Sequence, residues 1–315
     1  MQIKDFTAAH AGQAARIANQ NYEAERGHVP ALPPVGAVPD LTAFAENGLG
    51  VAAFDGDTML GFLCCLGPWD NAWNIPGLRS VFSPMGANGT IPENRADIYA
   101  RLYQAAGAKW ARAGAASHGV CLYAHDTEAL AQFFRYGFGA RTVDAIRGTD
   151  GVAAPPCGGY ALSELAPEDA LEVMPLDNEL HRHLRESPFF LYNAEHKEAD
   201  FLEYWARRQP VCFTARQEGK PVAFLLAERD GETFVKDTPG YFHVSGAYCL
   251  PEHRGKGISQ KLLDLLARKL NAGGYTRLGV DFESFNPSGS GFWLKHFEAY
   301  TRGVVRRIDE GAVSR

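Results

Sequence analysis

The chain has 315 residues, 46% hydrophobic and 22% charged, proportions that suit a globular protein with a large core and exclude disordered and collagen-like classes. A formal net charge of −6 supplies no global basic field, so neither nucleic acid nor an anionic membrane is expected as a partner. No apolar run reaches the roughly 18 residues that span a bilayer, the start Gln2-Ile3-Lys4-Asp5 is unlike a signal peptide, and the cytoplasm is the expected compartment.

In chain order, residues 3–6 form a short strand, and Thr7 opens a helix. Residues 40–47 read as helical, and 49–54 and 59–66 as strands joined by the turn Asp55-Gly56-Asp57. Pro92-Glu93-Asn94-Arg95 precedes a helix over 96–113, an apolar strand over 119–124, an aromatic helix at Phe133-Phe134 and a strand over 143–147. Residues 148–159, rich in Gly, Pro and Ala without apolar periodicity, read as a linker, so domains over 1–150 and 151–315 are expected.

The same order then returns. A strand over 160–165 leads to a helix start at Pro167, a helix over 199–208, and strands over 211–216 and 221–228 around Glu218-Gly219-Lys220. Pro251-Glu252-His253-Arg254 precedes a helix over 258–271, a strand over 277–282, an aromatic helix at Phe292-Trp293 and a strand over 304–308. Pro92 and Pro251 are 159 residues apart, as are Arg95 and Arg254. The same order of elements, with this motif at one offset, marks a tandem duplication.

In the second repeat a strand over 244–250 runs into Pro251-Glu252-His253-Arg254-Gly255-Lys256-Gly257-Ile258-Ser259 and a helix. Glycines let the backbone turn its N–H groups inward, and a helix start adds unpaired N–H groups and a positive dipole end, a combination that suits a pyrophosphate. A dinucleotide fingerprint fails because Gln260 stands three residues beyond Gly257, and Walker A spacing is absent. Taken alone, Gly255-x-Gly257 equally fits a turn before a surface helix.

Context extends the pattern: Cys249-Leu250-Pro251 ahead of Arg254-Gly255-Lys256-Gly257-Ile258, then Leu262-Leu263 and Leu265-Leu266. This resembles the GNAT superfamily of N-acetyltransferases, with its strand ending V-x-P, its R-G-x-G-[IL] loop and its leucine-rich helix. The resemblance implies an α/β (α+β) fold of two tandem GNAT-like domains, each a mixed, mostly antiparallel sheet flanked by helices. It implies acetyl-CoA as cosubstrate, its pyrophosphate on the amides of Arg254, Gly255, Lys256, Gly257, Ile258 and Ser259. A backbone N–H around Cys249 and Leu250 would polarise the acetyl carbonyl, and Asn286 would lie near the coenzyme. Trp293 stands where the family often has the tyrosine that protonates the leaving thiolate, and an indole N–H is a poor acid. Water or a tyrosine such as Tyr300 would then supply the proton.

His243, Asp281 and Glu283 lie on strands beside the acetyl site, and His243 and Glu283 are the candidate general bases, with structural roles as the alternative. In the first repeat Ala96, Asp97 and Ile98 replace Gly255, Lys256 and Gly257, so that half reads as degenerate and without coenzyme. Gly86 and Gly89, in a lengthened connection inserted before Pro92, read as a solvent loop, with an anion-binding loop as the alternative. Trp69, Trp73, Tyr99 and Tyr103 read as core, with pocket lining as the alternative. Arg302, Arg306 and Arg307 read as a solvated edge strand. His181 and His183, two apart, share no helical face, and no metal is expected. The six cysteines, without C-x-x-C pairs, read as reduced core thiols. The expected activity is acetylation of a primary amine on a small molecule or peptide; the alternative is a non-catalytic acyl-CoA sensor or scaffold.

Overall fold

In the computed structural model, which describes residues 1–34, 36 and 38–313, β-branched and aromatic runs form strands and amphipathic runs form the helices between them. The chain begins β1 (Gln2–Asp5), α1 (Ala11–His28), β2 (Val51–Asp55), β3 (Thr58–Leu63), β4 (Leu66–Trp69), β5 (Ser80–Ser83) and β6 (Asn88–Thr90). It continues with α2 (Arg95–Arg112), β7 (Ser117–Tyr123), α3 (Thr127–Arg135) and β8 (Gly139–Gly148). Strands β1-β2-β3-β6 form an antiparallel sheet, while β5 pairs antiparallel with β4 and parallel with β7. Ile98, Tyr99, Leu102, Tyr103, Ala106 and Trp110 recur at helical spacing on α2 and fill the core against Val51, Leu63, Val120 and Phe133. Tyr99 and Tyr103 are therefore core residues, and Trp69 and Trp73 pack on a satellite cluster of Ala72, Leu78 and Ala116. The expected helix over 40–47 is a single 3-10 turn, Thr42–Ala45, because only Leu41 of that short stretch is buried.

The chain goes on through β9 (Ala161–Glu164), α4 (Met174–Arg185), α5 (Glu198–Arg208), β10 (Val211–Gln217), β11 (Lys220–Glu228) and β12 (Tyr241–Cys249). Then come α6 (Ile258–Ala272), β13 (Arg277–Glu283) and α7 (Pro287–His296). Strands run in the order β9-β10-β11-β12-β13, antiparallel except for the parallel pair β12-β13. Leu262, Leu263, Leu266 and Leu270 of α6 are buried, and the helix packs on β10 and β11. Leu176, Phe201 and Trp205 join Phe224, Leu226 and Tyr248 in a separate cluster. The expected linker is irregular but pinned: Val152 N donates to Asp264 Oδ1 at 3.0 Å and Gln260 Nε2 to Ala153 O at 2.6 Å.

After β14 (Glu298–Ala299), β15 (Thr301–Arg307) pairs antiparallel with β7 along its whole length and with β8 at Gly139, Ala140 and Thr142. The compact units are accordingly Met1–Asp144 with Ala299–Arg315, and Ala145–Glu298. This differs from the division at 150/151, because the linker marks a break in composition whereas strand partnership assigns the C-terminal segment to the first unit. It also corrects the reading of Arg302, Arg306 and Arg307 as an edge: β15 is an internal strand with neighbours on both sides. Among the described residues no helix is long and apolar enough to cross a membrane.

Candidate active site

In the second unit, β12 and β13 pair only from Tyr241↔Arg277 to Val244↔Val280. The cause of their parting lies on the other edge of β12. There Leu226 faces Gly246 and Ala227 faces Val244, which leaves Ser245 as an extra residue. Such a bulge bends its strand and increases the local twist. Beyond it β12 runs on to Cys249 and β13 to Glu283 without pairing to each other, and a cleft opens. Two cavities meet there, one of about 480 Å³ and one of about 410 Å³, and their walls share Leu180, Ala247, Asn286 and Trp293.

Leu250 N donates to Val222 O at 3.0 Å, so its amide belongs to the β11 side of the strand. In an antiparallel ladder successive residues point their N–H and C=O groups to opposite sides, which turns the amides of Cys249 and Ala247 toward the cleft. The carbonyl of Cys249 follows that rule, accepting from Arg254 Nε at 2.9 Å. Leu250 as the backbone donor is thereby corrected: its N–H is spent in the sheet. Ala247, which the sequence reading missed, lies where the two cavities meet.

The loop that follows needs its glycines. Gly255 and Gly257 have φ of +75° and +77°, and a Cβ on Gly257 would come within 2.3 Å of Pro155 Cγ. Gly257 O accepts from Lys261 N at 3.0 Å, so the N–H groups of Ile258, Ser259 and Gln260 begin α6 without carbonyl partners inside the helix. Arg254, Gly255, Gly257, Ile258, Ser259 and Gln260 all line the smaller cavity. Lys256 turns away, its Nζ donating to Tyr160 Oη at 3.3 Å.

Asn286 borders both cavities and caps α7, its Oδ1 accepting from Gly289 N at 2.8 Å and Ser288 Oγ at 2.9 Å. Trp293, 8% exposed, meets Phe292 and Phe297 edge-on and closes the wall between the cavities. Tyr300, the alternative proton donor, belongs to the first unit, with 1% exposure and its amide on Asp144 O.

The larger cavity is lined by Asp177, Glu228, Asp281 and Glu283, and among its described lining residues there is no Lys or Arg. His243, expected as a base, is buried outside that wall. Its Nδ1 lies 2.8 Å from Tyr241 Oη and its Nε2 2.8 Å from Asp281 Oδ1, so both ring nitrogens are engaged and the ring serves to hold Asp281. Glu283 stands in the wall at the end of β13. Tyr204 borders the same space, and burial pushes its hydroxyl up to about 12.

Opposite stands a loop fixed by α4. Asn178 exchanges two hydrogen bonds with the His196 backbone, at 2.7 and 3.4 Å, and His181 Nδ1 donates to Ala194 O at 2.8 Å. His196 Nε2 sits 3.0 Å from Asp177 Oδ2, and that hydrogen bond raises its pKa. Asp177, His181 and His196 each bring one ligand-capable atom within 4.8 Å of the others. The two-residue spacing of His181 and His183 hid these partners, since one is a helical turn away and the other comes from the loop. His183 faces the smaller cavity.

The first unit repeats the turn but not the cleft. Arg95 Nη2 donates to Thr90 O at 3.2 Å, just as Arg254 donates to Cys249 O one offset later. Here, however, β5 and β6 are separate strands, and Asn88 Nδ2 bridges to Cys121 O at 3.0 Å while Tyr99 Oη donates to Asn88 Oδ1 at 3.1 Å. Gly86 and Gly89 are buried in this crossing, which corrects their reading as a solvent loop: the insertion threads through the core.

Residues 178–297 match the acetyltransferase (GNAT) family. Among solved structures, a GCN5-related N-acetyltransferase from Sphaerobacter thermophilus is 13% identical, covering 97% of this chain and 95% of its own, with a TM-score of 0.60. One from Kribbella flavida is 14% identical, covering 99% and 72%, with a TM-score of 0.42. A tandem GNAT protein from the clavulanic acid biosynthesis pathway is 17% identical, covering 96% and 97%, with a TM-score of 0.45. The first of these shares the chain's fold along nearly its whole length. No curated protein matches the sequence.

Proposed function

We infer, from a chain that belongs to the GNAT family of acetyltransferases through its domain over 178–297, that it transfers acetyl from acetyl-CoA to a primary amine by direct attack in the second unit. The observation that carries this reading is the junction at Ala247, where a cavity bordered by helix-start amides meets one bordered by carboxylates.

The smaller cavity fits the coenzyme. Positive-φ glycines and the amides of Ile258, Ser259 and Gln260 form an anion nest at the N-terminus of a 15-residue helix, reinforced by Arg254. Bound acetyl-CoA supplies the activated acyl carbon. The Ala247 and Cys249 amides face the place where its carbonyl oxygen gains charge, and donors fixed in advance stabilise that charge without reorganisation. Held in the larger cavity, the acceptor nitrogen attacks the carbonyl carbon and the C–S bond breaks. Glu283 takes the ammonium proton, directly or through one water. Trp293 offers no acid for the thiolate, which takes its proton from water. The first unit, with Asn88 bridging its strands and Asp97 in the first turn of α2, acts as a structural partner without coenzyme.

Thiol release from acetyl-CoA over a panel of alkylamines, amino acids and peptide N-termini tests the reading, with turnover above the protein-free rate expected for at least one class. Trp293 in the proton donor's place favours one second reading, an acyl-CoA sensor. Coenzyme binding with no thiol release across the panel would establish the sensor and end the enzyme account.

A further inference from the structure

We propose that the acceptor carries a second cationic nitrogen, bound at Glu228 about 10 Å from the nitrogen that is acetylated, which makes linear diamines and polyamine-like chains the substrate class. The proposal rests on the transferase reading above and adds to it the length and charge of the acceptor.

Alternation along β11 points Phe224, Leu226 and Glu228 to one face, and all three border the larger cavity. The first two are 2% and 5% exposed, so the pattern calls for an apolar residue at the third position. An acid stands there instead, 8% exposed. Tyr204 hydrogen-bonds this carboxylate, but its Oε2 accepts no hydrogen bond, and Arg208 Nε lies 3.6 Å away with the same guanidinium donating to Asp230. Lys236, the next cation, is also on Asp230, at 2.7 Å. A carboxylate oxygen buried without a hydrogen bond is costly unless a ligand completes it.

The register fixes the distance. Leu225 pairs with Ala247, beside which the thioester would sit, and Glu228 pairs with His243, three residues further along β11. At about 3.3 Å per residue this separation is about 10 Å, too far for Glu228 to touch the reacting nitrogen and suited to the far end of an extended chain. Phe224, Leu226, Val244 and Val280 provide an apolar wall between the two points for methylenes.

Charge favours a cation at that far end. Asp177 is hydrogen-bonded by His196 and Asp281 by His243, whereas the one cation beside Glu228 among the described contacts is the guanidinium of Arg208, 3.6 Å from Oε2.

The test measures kcat/KM by thiol release, with acetyl-CoA and the full-length protein, for α,ω-diamines from ethylenediamine to diaminodecane and for alkylamines of matched length. Diamines should exceed their monoamine partners by at least tenfold, with a maximum near diaminoheptane. Glu228→Gln should cut that ratio by about tenfold, and Glu228→Asp, whose carboxylate is withdrawn by one bond, should move the maximum to a longer diamine. Equal efficiency of diamines and monoamines, or a preference unchanged in Glu228→Gln, overturns the proposal and leaves the transferase reading intact. Thiol release with no amine at all would overturn both.

Discussion

Ser259 offers a way to test the proposed coenzyme nest without disturbing the loop that forms it. It lies in the first turn of α6 and borders the smaller cavity, its backbone is helical, and a carboxylate near a helix N-terminus is compatible with the dipole. Ser259→Glu should therefore leave the fold intact while placing a negative charge beside the expected pyrophosphate. At about 5 Å and an effective dielectric near 20, one pair of unit charges repels by about 3 kcal/mol, and screening at the cavity mouth brings this to about 1.5–3 kcal/mol. Calorimetry should show acetyl-CoA affinity falling at least about tenfold, since each 1.4 kcal/mol is one decade. The loss should shrink as salt is raised. Equal affinity in wild type and variant, both folded by circular dichroism, would refute the placement of the pyrophosphate on these amides.

Gly257→Ala should destabilise the second unit by about 2–4 kcal/mol, because it adds left-handed strain to a Cβ placed 2.3 Å from Pro155, while Gly255→Ala, open around its Cβ, should cost only about 1 kcal/mol. Denaturant midpoints compare the two, and equal costs would count against the Pro155 contact. Burial pushes the His118 imidazole down to about 4 from its ordinary 6.5. A depressed pKa contributes stability above pH 6.5 that is lost as pH falls toward 4, here about 3 kcal/mol, and His118→Gln should remove most of that dependence in unfolding measured at pH 7 and 4. Trp293→Tyr should restore a proton donor for the thiolate and raise kcat by up to about tenfold, at a stability cost of about 1–2 kcal/mol. An unchanged kcat in the folded variant would show that thiolate protonation does not limit turnover.

The shape of the loop was legible because it requires particular residue types in a row: Gly255 and Gly257 for positive φ, Ile258 for burial and a leucine-rich helix behind them. The 159-residue offset of the two Pro-Glu-x-Arg segments was legible, and Arg95 and Arg254 donate to the carbonyls of Thr90 and Cys249, which stand at the same offset. Ser245 gave no warning of its bulge, since a bulge belongs to the pairing of two strands rather than to the composition of one. The direction of the Leu250 amide was hidden for the same reason. His243 looked like a base because sequence gives neither its strand face nor its partners, and it proves to be held between Tyr241 and Asp281. Glu228 did break an apolar alternation in β11, a signal present in the sequence, although the cavity that gives it meaning arises only when α4 and α5 cover that face.

The central claim, that acetyl transfer takes place where β12 leaves β13, is tested most directly at the Ala247 and Cys249 amides. Amide nuclear magnetic resonance spectra of the protein with CoA and with acetyl-CoA differ only through the acetyl group. The account predicts that one or both of these resonances shift between the two complexes while those of the first unit stay fixed. Identical positions for both amides in the two complexes, with the acetyl-dependent shifts elsewhere, would contradict it.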